Sequence, residues 1–484
     1  MVRSLRHQTA MSRRSLSRPV RIAYESGLID SCTSFFDYGC GRGDDIRFLS
    51  ALGVPAHGWD PALRPDGKKE PAHVVNLGYV VNVIEDPRER DATLQEAWGL
   101  TKSVLVVAAR LTFEKNGTNH DEFADGCLTG RGTFQKFYTQ DELRDWVKEA
   151  LNAEPVAAAP GVLILFREPA ARLRFEASRW RRRASIPGQQ LSDKVFEANE
   201  KLLEPLMTFV ADRGRLPDST ELPESVEICQ EFGSLKRAFG VITHATGSEK
   251  WDKIHEQRKT DLMVYLALDR FGGRPKFTDL PQELQWDIKA LFRSYTQACS
   301  HADELLFSAG NMEAVNAVCA SVEVGKLTQE ALYVHRTALE SLPELLRVYE
   351  GCARAYIGNV EGANIVKLNR AKPNVSYLAY PEFDSNPHPA LEGSLVVSLR
   401  SLKIRHFDYR QSENPPILHR KEEFVPADYP GREKFVRLTR QEERHALFDD
   451  PVRIGTRDGW NQVLVNQGIR LSGHRVVRRR LTKT

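Results

Sequence analysis

A short apolar run, Phe35-Phe36-Asp37-Tyr38, leads directly into Gly39-Cys40-Gly41-Arg42-Gly43-Asp44-Asp45, with glycine at every second position before a helix-like stretch. No other segment narrows the possible folds as much. Glycine adopts positive φ without strain and lets a ligand approach the backbone where a Cβ would block it. Between a strand and a helix, such a loop is the ligand crevice of an open α/β sheet. A nucleotide-like ligand there calls for an acidic residue at the end of the next strand. Gly58-Trp59-Asp60 supplies one, able to accept hydrogen bonds from both ribose hydroxyls. A third strand runs into Asn76-Leu77-Gly78-Tyr79-Val80-Val81-Asn82-Val83-Ile84-Glu85.

The same alternation extends through Val104 to Ala109 and a closing pair around Val156 and Val162 to Phe166, with Pro160-Gly161 as the turn between them. Residues 1–167 therefore read as an α/β domain with a largely parallel sheet. Residues 168–357 show helical periodicity, as in Leu202, Leu203, Leu206 and Phe209, and read as a helical domain. Residues 358–484, rich in proline and strand-like runs such as Leu395 to Leu402, read as a mixed α+β domain with a basic tail. A loose echo of Asp212-Arg213-Gly214-Arg215 in Asp269-Arg270 and Gly273-Arg274-Pro275 fits chance coincidence at helix breaks.

With 484 residues there is material for several cores, and 41% hydrophobic with 27% charged residues excludes a wholly disordered chain. The longest apolar runs fall far short of the roughly 18 residues of a membrane span, so no membrane partner is expected. The first twenty residues lack an apolar centre, which argues against a secretory signal and for the cytoplasm. The seven cysteines lie far apart without a C-x-x-C pair, so reduced thiols and no metal site are expected. Net charge is only +3, but the arginines cluster: Arg3, Arg6, Arg13, Arg14, Arg18 and Arg21; Arg179, Arg181, Arg182 and Arg183; and Arg475, Arg478, Arg479, Arg480 with Lys483. Each cluster suits phosphate contact or a solvated face.

Asp37, Gly39, Gly41 and Gly43 match the D-x-G-x-G-x-G of class I S-adenosylmethionine-dependent methyltransferases, which the first domain resembles; a dinucleotide dehydrogenase would show G-x-G-x-x-G. The resemblance implies a Rossmann-like fold with S-adenosyl-L-methionine as cofactor. Its methionine part would lie on the glycine loop, its amino group near Asp37 and its ribose on Asp60. Gly78 and Tyr79 would also face the donor, and Asn76, Tyr79 and Asn82 are the candidates nearest the transferred methyl. Only 12 residues separate Asp60 from His73, too few for the usual helix and strand, so the sheet is expected to be one α/β unit short. No catalytic acid or base is identifiable, and positioning supplies much of the effect in methyl transfer.

A longer resemblance rests on Arg13 to Val20, Asp37 to Asp45, Gly58 to Pro61, Gly78 to Asp86 and Asn414-Pro415-Pro416-Ile417-Leu418-His419-Arg420-Lys421-Glu422. Together these resemble the DNA phosphorothioation-associated methyltransferases, a bacterial family found beside DNA sulfur-modification and defence systems. The resemblance implies nucleic acid as partner, DNA before RNA, and other proteins of such a system. Arg13, Arg14, Arg18, Arg181, Arg182, Arg215, Arg237, Arg420 and Lys421 are the nucleic-acid contact candidates. Gly214-Arg215-Leu216-Pro217 with Phe232 to Phe239 is also similar to a small helical repeat of homing endonucleases.

Amino-methylating DNA enzymes carry [D/N/S]-P-P-[Y/F/W] where this chain has Asn76-Leu77-Gly78-Tyr79, and no Pro-Cys pair is present for cytosine-C5 chemistry. Asn414-Pro415-Pro416-Ile417 lies far downstream and reads as a rigid turn. Thr112 to Thr133, with Gly117, Gly126, Gly130 and Gly132, reads as a long loop placed to act as a lid. Two functions stay open: a nucleic-acid methyltransferase, or a donor-binding but catalytically degenerate DNA-binding regulator of a modification system.

Overall fold

The computed structural model describes residues 6–9, 11–115, 120–130, 132–182, 185–188 and 193–478. Arg3, Gly117, Arg183, Arg479, Arg480 and Lys483 of the sequence expectations lie outside them. The chain forms two compact units. One combines Met1–Arg172, Cys319–Ser341 and Glu350–Thr484; the other combines Leu173–Val318 and Leu342–Tyr349.

The first unit opens with α1 (Arg18–Glu25), β1 (Phe35–Tyr38), α2 (Asp44–Ala51), β2 (Ala56–Trp59), β3 (Ala72–Gly78), α3 (Pro87–Gly99) and β4 (Thr101–Ala108). Then follow β5 (His120–Phe123), β6 (Gly126–Thr129), β7 (Phe134–Gln135), α4 (Gln140–Leu151), β8 (Val156–Ala159) and β9 (Val162–Phe166). Six of these strands form one sheet in the order β2-β1-β3-β4-β9-β8. The pairs of β1 with β2, β1 with β3 and β3 with β4 are parallel, and β9 runs antiparallel to β4 and β8. Central strands buried on both faces need near-continuous apolar sequence, and Val104 to Ala108 and Val162 to Leu165 are almost wholly excluded from solvent. On one face Phe36, Tyr38, Val75, Leu77, Leu105 and Val107 pack with Leu94 and Ala97 of α3 and Leu143 and Val147 of α4. The opposite face carries Asp37 and Asn76 and meets α1, where a Cβ on Gly78 would lie 3.1 Å from Pro19.

The expected shortening of the sheet is present: residues 61–71 hold no helix or strand, and β2 is an edge. The segment turns back on itself, with Arg64 N–H donating to the Asp60 carbonyl at 3.0 Å. The expected lid loop is different. Within and just beyond Thr112 to Thr133 the chain builds the β5-β6-β7 antiparallel meander, in which a Cβ on Gly126 would come within 2.5 Å of the Phe134 ring. Arg90 grips its Asp125 turn with two bonds of 2.6 and 2.7 Å.

The second unit is helical: α5 (Pro169–Ser178) enters it, then α6 (Lys194–Arg213), α7 (Ser225–Phe232), α8 (Leu235–Thr246), α9 (Ser248–Leu268), α10 (Gln282–Leu291) and α11 (Tyr295–Ala309), with α12 (Met312–Ser321) leaving it. The expectation of helix up to residue 357 misses two strands. β10 (Lys326–Leu327) and β11 (Ala331–His335) precede α13 (Glu344–Ile357) and belong to the first unit. They join β12 (Ile365–Asn369), β13 (Asn374–Ala379), β14 (Gly393–Ser398) and β15 (Ile404–Asp408) in a six-stranded antiparallel sheet. A five-residue apolar run between helices is too short for periodicity to separate strand from helix. α14 (Arg432–Arg444), α15 (Arg457–Asn466) and the β16 (Ile469–Leu471) and β17 (Val476–Arg478) hairpin complete the unit.

Candidate functional site

Strand order reverses between β1 and β3, and a doubly wound sheet binds ligands at the carboxyl ends of its strands at such a point. A cavity of about 760 Å³ opens there, within the range of small-molecule sites. The glycine loop forms one wall. Gly39, Gly41 and Gly43 take φ of 80°, 53° and 76°, the left-handed region that a side chain disfavours. At Gly39 a Cβ would also lie 2.5 Å from Val80 Cγ2. Gly39 and Gly41 line the cavity; Gly43 does not, serving as the residue that starts α2 beneath the Arg64 guanidinium.

Asp60 lies on the cavity wall, but its carboxylate is largely committed. Oδ2 accepts the Gly41 N–H at 3.1 Å, and Oδ1 accepts those of Ala62 and Leu63, each at 2.9 Å. Of roughly four lone-pair positions on a carboxylate, one on Oδ2 is left for a ligand. One acceptor position on Asp60 thus remains open, where the sequence alone suggested two.

Asp37 departs further from expectation. It is buried beneath the loop and does not line the cavity. Asn76 Nδ2 donates to its Oδ1 at 2.8 Å, and burial, with Asp45 close by, pushes its pKa up to about 7. Asn76, expected near the transferred methyl, is buried with Asp37 and likewise does not line the cavity. The acidic pair that follows the glycines has a role that its spacing did not reveal. Asp44 Oδ2 accepts the Arg13 N–H and Asp45 Oδ1 the Ser17 N–H, both at 2.6 Å. The amino-terminal arm is thereby drawn over the crevice, and Arg6, Thr9, Met11, Arg13 and Arg18 become part of the cavity wall.

Gly78, Tyr79 and Asn82 line the cavity. Tyr79 has a φ of 61° although it carries a side chain, a conformation that costs on the order of 1 kcal/mol and tends to occur at functional sites. Its N–H donates to Ala108 O at 2.7 Å, which fixes the turn at the end of β3. Burial raises the Tyr79 hydroxyl pKa, opposed by the nearby Arg18 and Arg110 guanidiniums. Asn82 Nδ2 donates to Gln135 Oε1 at 3.0 Å, while its buried Oδ1 has no partner. Where the absent α/β unit would have contributed, Tyr38, Trp59, Thr93 and Glu96 line the wall, and Lys69 lies 3.8 Å over the Trp59 ring while bonding Glu96 at 2.7 Å. Sequence reasoning missed Arg110. As the first polar residue after the apolar run of β4, at the carboxyl edge of the sheet, it carried a usable signal.

The nucleic-acid candidates divide sharply. Arg215 is buried, bonding Asp287 at 2.7 Å and both oxygens of Glu221 at 2.6 and 2.7 Å. Arg182 bonds Asp261 at 2.6 Å, and Arg181 pairs with Asp212 at 3.1 Å. Lys421 is 1% exposed and donates to the Phe383 and Asn386 carbonyls, each at 2.6 Å. Arg420 pairs with Glu443 at 2.6 Å and lies over the Phe448 ring. These side chains are taken up within the fold, because a desolvated donor needs its carboxylate or carbonyl partners more than a distant phosphate. Asn414-Pro415-Pro416 is likewise a structural turn, with Pro416 O accepting from Leu391 and Asn414 Oδ1 from the Asp458 N–H. Arg13 and Arg18 are in the cavity, which leaves Arg14 and Arg237 exposed.

No family model and no curated protein matches the chain. Among solved structures, about a third of it is similar to S-adenosylmethionine-dependent methyltransferases. One is the 1,6-didemethyltoxoflavin-N1-methyltransferase of Burkholderia thailandensis, at 11% identity and TM-score 0.25 over 34% of this chain and 79% of that one. The CcbJ methyltransferase of Streptomyces caelestis shows 14% identity and TM-score 0.25 over 33% and 93%. The amino pentose methyltransferase CalS10 of Micromonospora echinaspora shows 15% and 0.23 over 31% and 88%.

Proposed function

We propose that this protein binds S-adenosyl-L-methionine in the cavity above the glycine loop and transfers its methyl group to nucleic acid, within a bacterial DNA-modification or defence system linked to phosphorothioation. One observation carries the donor assignment: a side-chain-free glycine wall and the spare lone pair of Asp60 face the same cavity at the strand-order reversal. Gly39 and Gly41 would lie along the methionine part, Asp60 would take one ribose hydroxyl, and the half-buried Arg13 would face the carboxylate. The donor supplies an electrophilic methyl on sulfur. Around it Tyr79 and Asn82 position the acceptor, and the arm keeps bulk water out. The resemblance of Arg13 to Val20 and Asn414 to Glu422 to the phosphorothioation-associated family supports the setting and the nucleic-acid acceptor. Arg182, paired with Asp261, and the buried Arg215 and Lys421 do not add to that support.

A second function, donor binding without turnover by a DNA-binding regulator, is favoured by the absent α/β unit and by the burial of both Asp37 and Asn76 away from the cavity. Titration calorimetry with S-adenosylhomocysteine, followed by transfer of labelled methyl from the donor to host DNA or RNA, separates the cases. Binding with transfer supports the enzyme, binding without transfer supports the regulator, and no binding removes both.

A further inference from the structure

Every carboxylate on the cavity wall is engaged. Asp60 accepts backbone N–H groups, Glu89 meets Arg6, Glu96 meets Lys69 and Tyr38, and Glu114 accepts the Leu111 N–H at 2.6 Å. The guanidiniums are not all engaged. Arg6 pairs with Glu85 and Glu89, and Arg18 lies 3.2 Å from Glu361, but the half-buried Arg13 and Arg110 have no carboxylate partner among the described residues. A partly desolvated guanidinium without a counter-charge is a strong seat for an anion.

The two free arginines serve different places. Arg13 acts on Asp37, beside the glycine loop. Arg110 and Arg18 line the cavity with Tyr79, and the Pro160-Gly161 turn brings them together. Arg18 Nη1 donates to Pro160 O at 3.0 Å, and the residue before Arg110 bonds Gly161 O. Both guanidiniums act on the Tyr79 hydroxyl, against the Glu114 carboxylate. The donor has a single carboxylate, which Arg13 can meet, so the second seat has no donor group to fill it. Arg110 is also rigidly mounted. The N–H of Ala109 donates to Gly161 O at 3.0 Å, and Arg110 O accepts the Tyr138 N–H at 2.9 Å. Arg110 has no carboxylate partner among the described residues, and Arg18 spends Nε on Glu361 and Nη1 on Pro160 O. Forks arriving from two separate elements match a phosphate, whose tetrahedral oxygens and higher charge meet cations from two directions.

We propose that Arg110 and Arg18 hold a phosphate of the methyl acceptor beside Tyr79, so that the acceptor enters the cavity as a nucleotide carrying its own phosphate. This inference rests on the assignment of the cavity to the methyl donor. It requires the nucleotide to be out of a duplex, since a stacked and paired residue cannot bring base and phosphate together into an enclosed site. The seat takes either a free nucleotide or one residue of a strand, and the two sources differ in whether neighbouring nucleotides add affinity.

The full-length protein, saturated with S-adenosylhomocysteine, is titrated with a fluorescent mixed-sequence single-stranded 12-mer, with its duplex, and with 5′-mononucleotides or nucleosides as competitors. Mononucleotides should compete where nucleosides do not, and the single strand should bind more tightly than the duplex. An oligonucleotide at least tenfold tighter than any mononucleotide identifies a strand as the source; equal affinity identifies the free nucleotide. Arg110→Gln should weaken both by tenfold or more and leave S-adenosylhomocysteine affinity within twofold, with Arg110→Lys recovering part of the loss. Nucleosides competing as well as nucleotides, or full oligonucleotide affinity in Arg110→Gln, would overturn the phosphate seat alone. Failure of S-adenosylhomocysteine to bind the wild type would overturn the donor assignment and this inference with it.

Discussion

Replacing Asp60 with alanine separates two roles that one carboxylate performs. Its Oδ1 holds the turn through Ala62 and Leu63, and its Oδ2 holds Gly41 and keeps one lone pair for a ligand. Ala62 and Leu63 are exposed, so water can replace their lost acceptor, and the stability cost should stay near about 1–2 kcal/mol. Binding loses one charge-assisted hydrogen bond to ribose, about 1.5–3 kcal/mol, which is roughly a 10- to 150-fold rise in Kd for S-adenosylhomocysteine. Asp60→Asn keeps an oxygen for the turn but aims an amide at the Gly41 N–H, so it should fall between wild type and Asp60→Ala. Calorimetric titration gives the affinities, and a thermal melt shows that each variant is folded. A folded Asp60→Ala protein whose Kd stays within threefold of wild type would refute the place given to Asp60.

Gly39→Ala forces a side chain into a φ of 80° against Val80; a loss of about 1–3 kcal/mol in denaturant unfolding and at least tenfold weaker S-adenosylhomocysteine binding are expected. Arg215→Ala leaves Glu221 and Asp287 short of a partner in the second unit, though Arg213 still bonds Asp287 at 2.8 Å, so about 3 kcal/mol should be lost in urea melts with donor affinity unchanged. A fall in nucleic-acid affinity at unchanged stability would instead restore Arg215 as a phosphate contact. Burial lowers the Lys421 pKa to about 7, so between that value and its ordinary 10.5 the unfolded chain holds the extra proton and stability rises with pH. Glu442, raised by burial to about 8, contributes the opposite slope, and only below that value. The difference in melting temperature between wild type and Lys421→Met should therefore grow from pH 8 to 10, and a constant difference would contradict the neutral buried amine.

How much could be read from the chain varied with how local the determinant was. The glycine loop, Asp60 and the closing β8-β9 hairpin are encoded within a few consecutive residues, and each stands where its local pattern put it. The absent α/β unit was a matter of counting residues between two strand ends. Charge was the misleading signal. Arg182, Arg215 and Lys421 look like phosphate contacts in a linear cluster, yet Glu221 lies six residues beyond Arg215 and the partners Asp261, Asp287, Phe383 and Asn386 arrive from other parts of each unit. The same long-range pairing hid the work of Asp44 and Asp45, because nothing in their spacing tells that the backbone of Arg13 and Ser17 returns to them.

That return gives the arm a thermodynamic consequence. Residues contributed by the arm form part of the cavity wall, so a ligand that needs them cannot stay bound when the arm lifts, and occupancy and arm closure become one linked equilibrium. A ligand at a hundred times its Kd adds about 2.7 kcal/mol against lifting, a hundredfold smaller open population. Arg13 and Arg14 lie within that segment, so tryptic cleavage after them reports, from outside the cavity, whether it is filled.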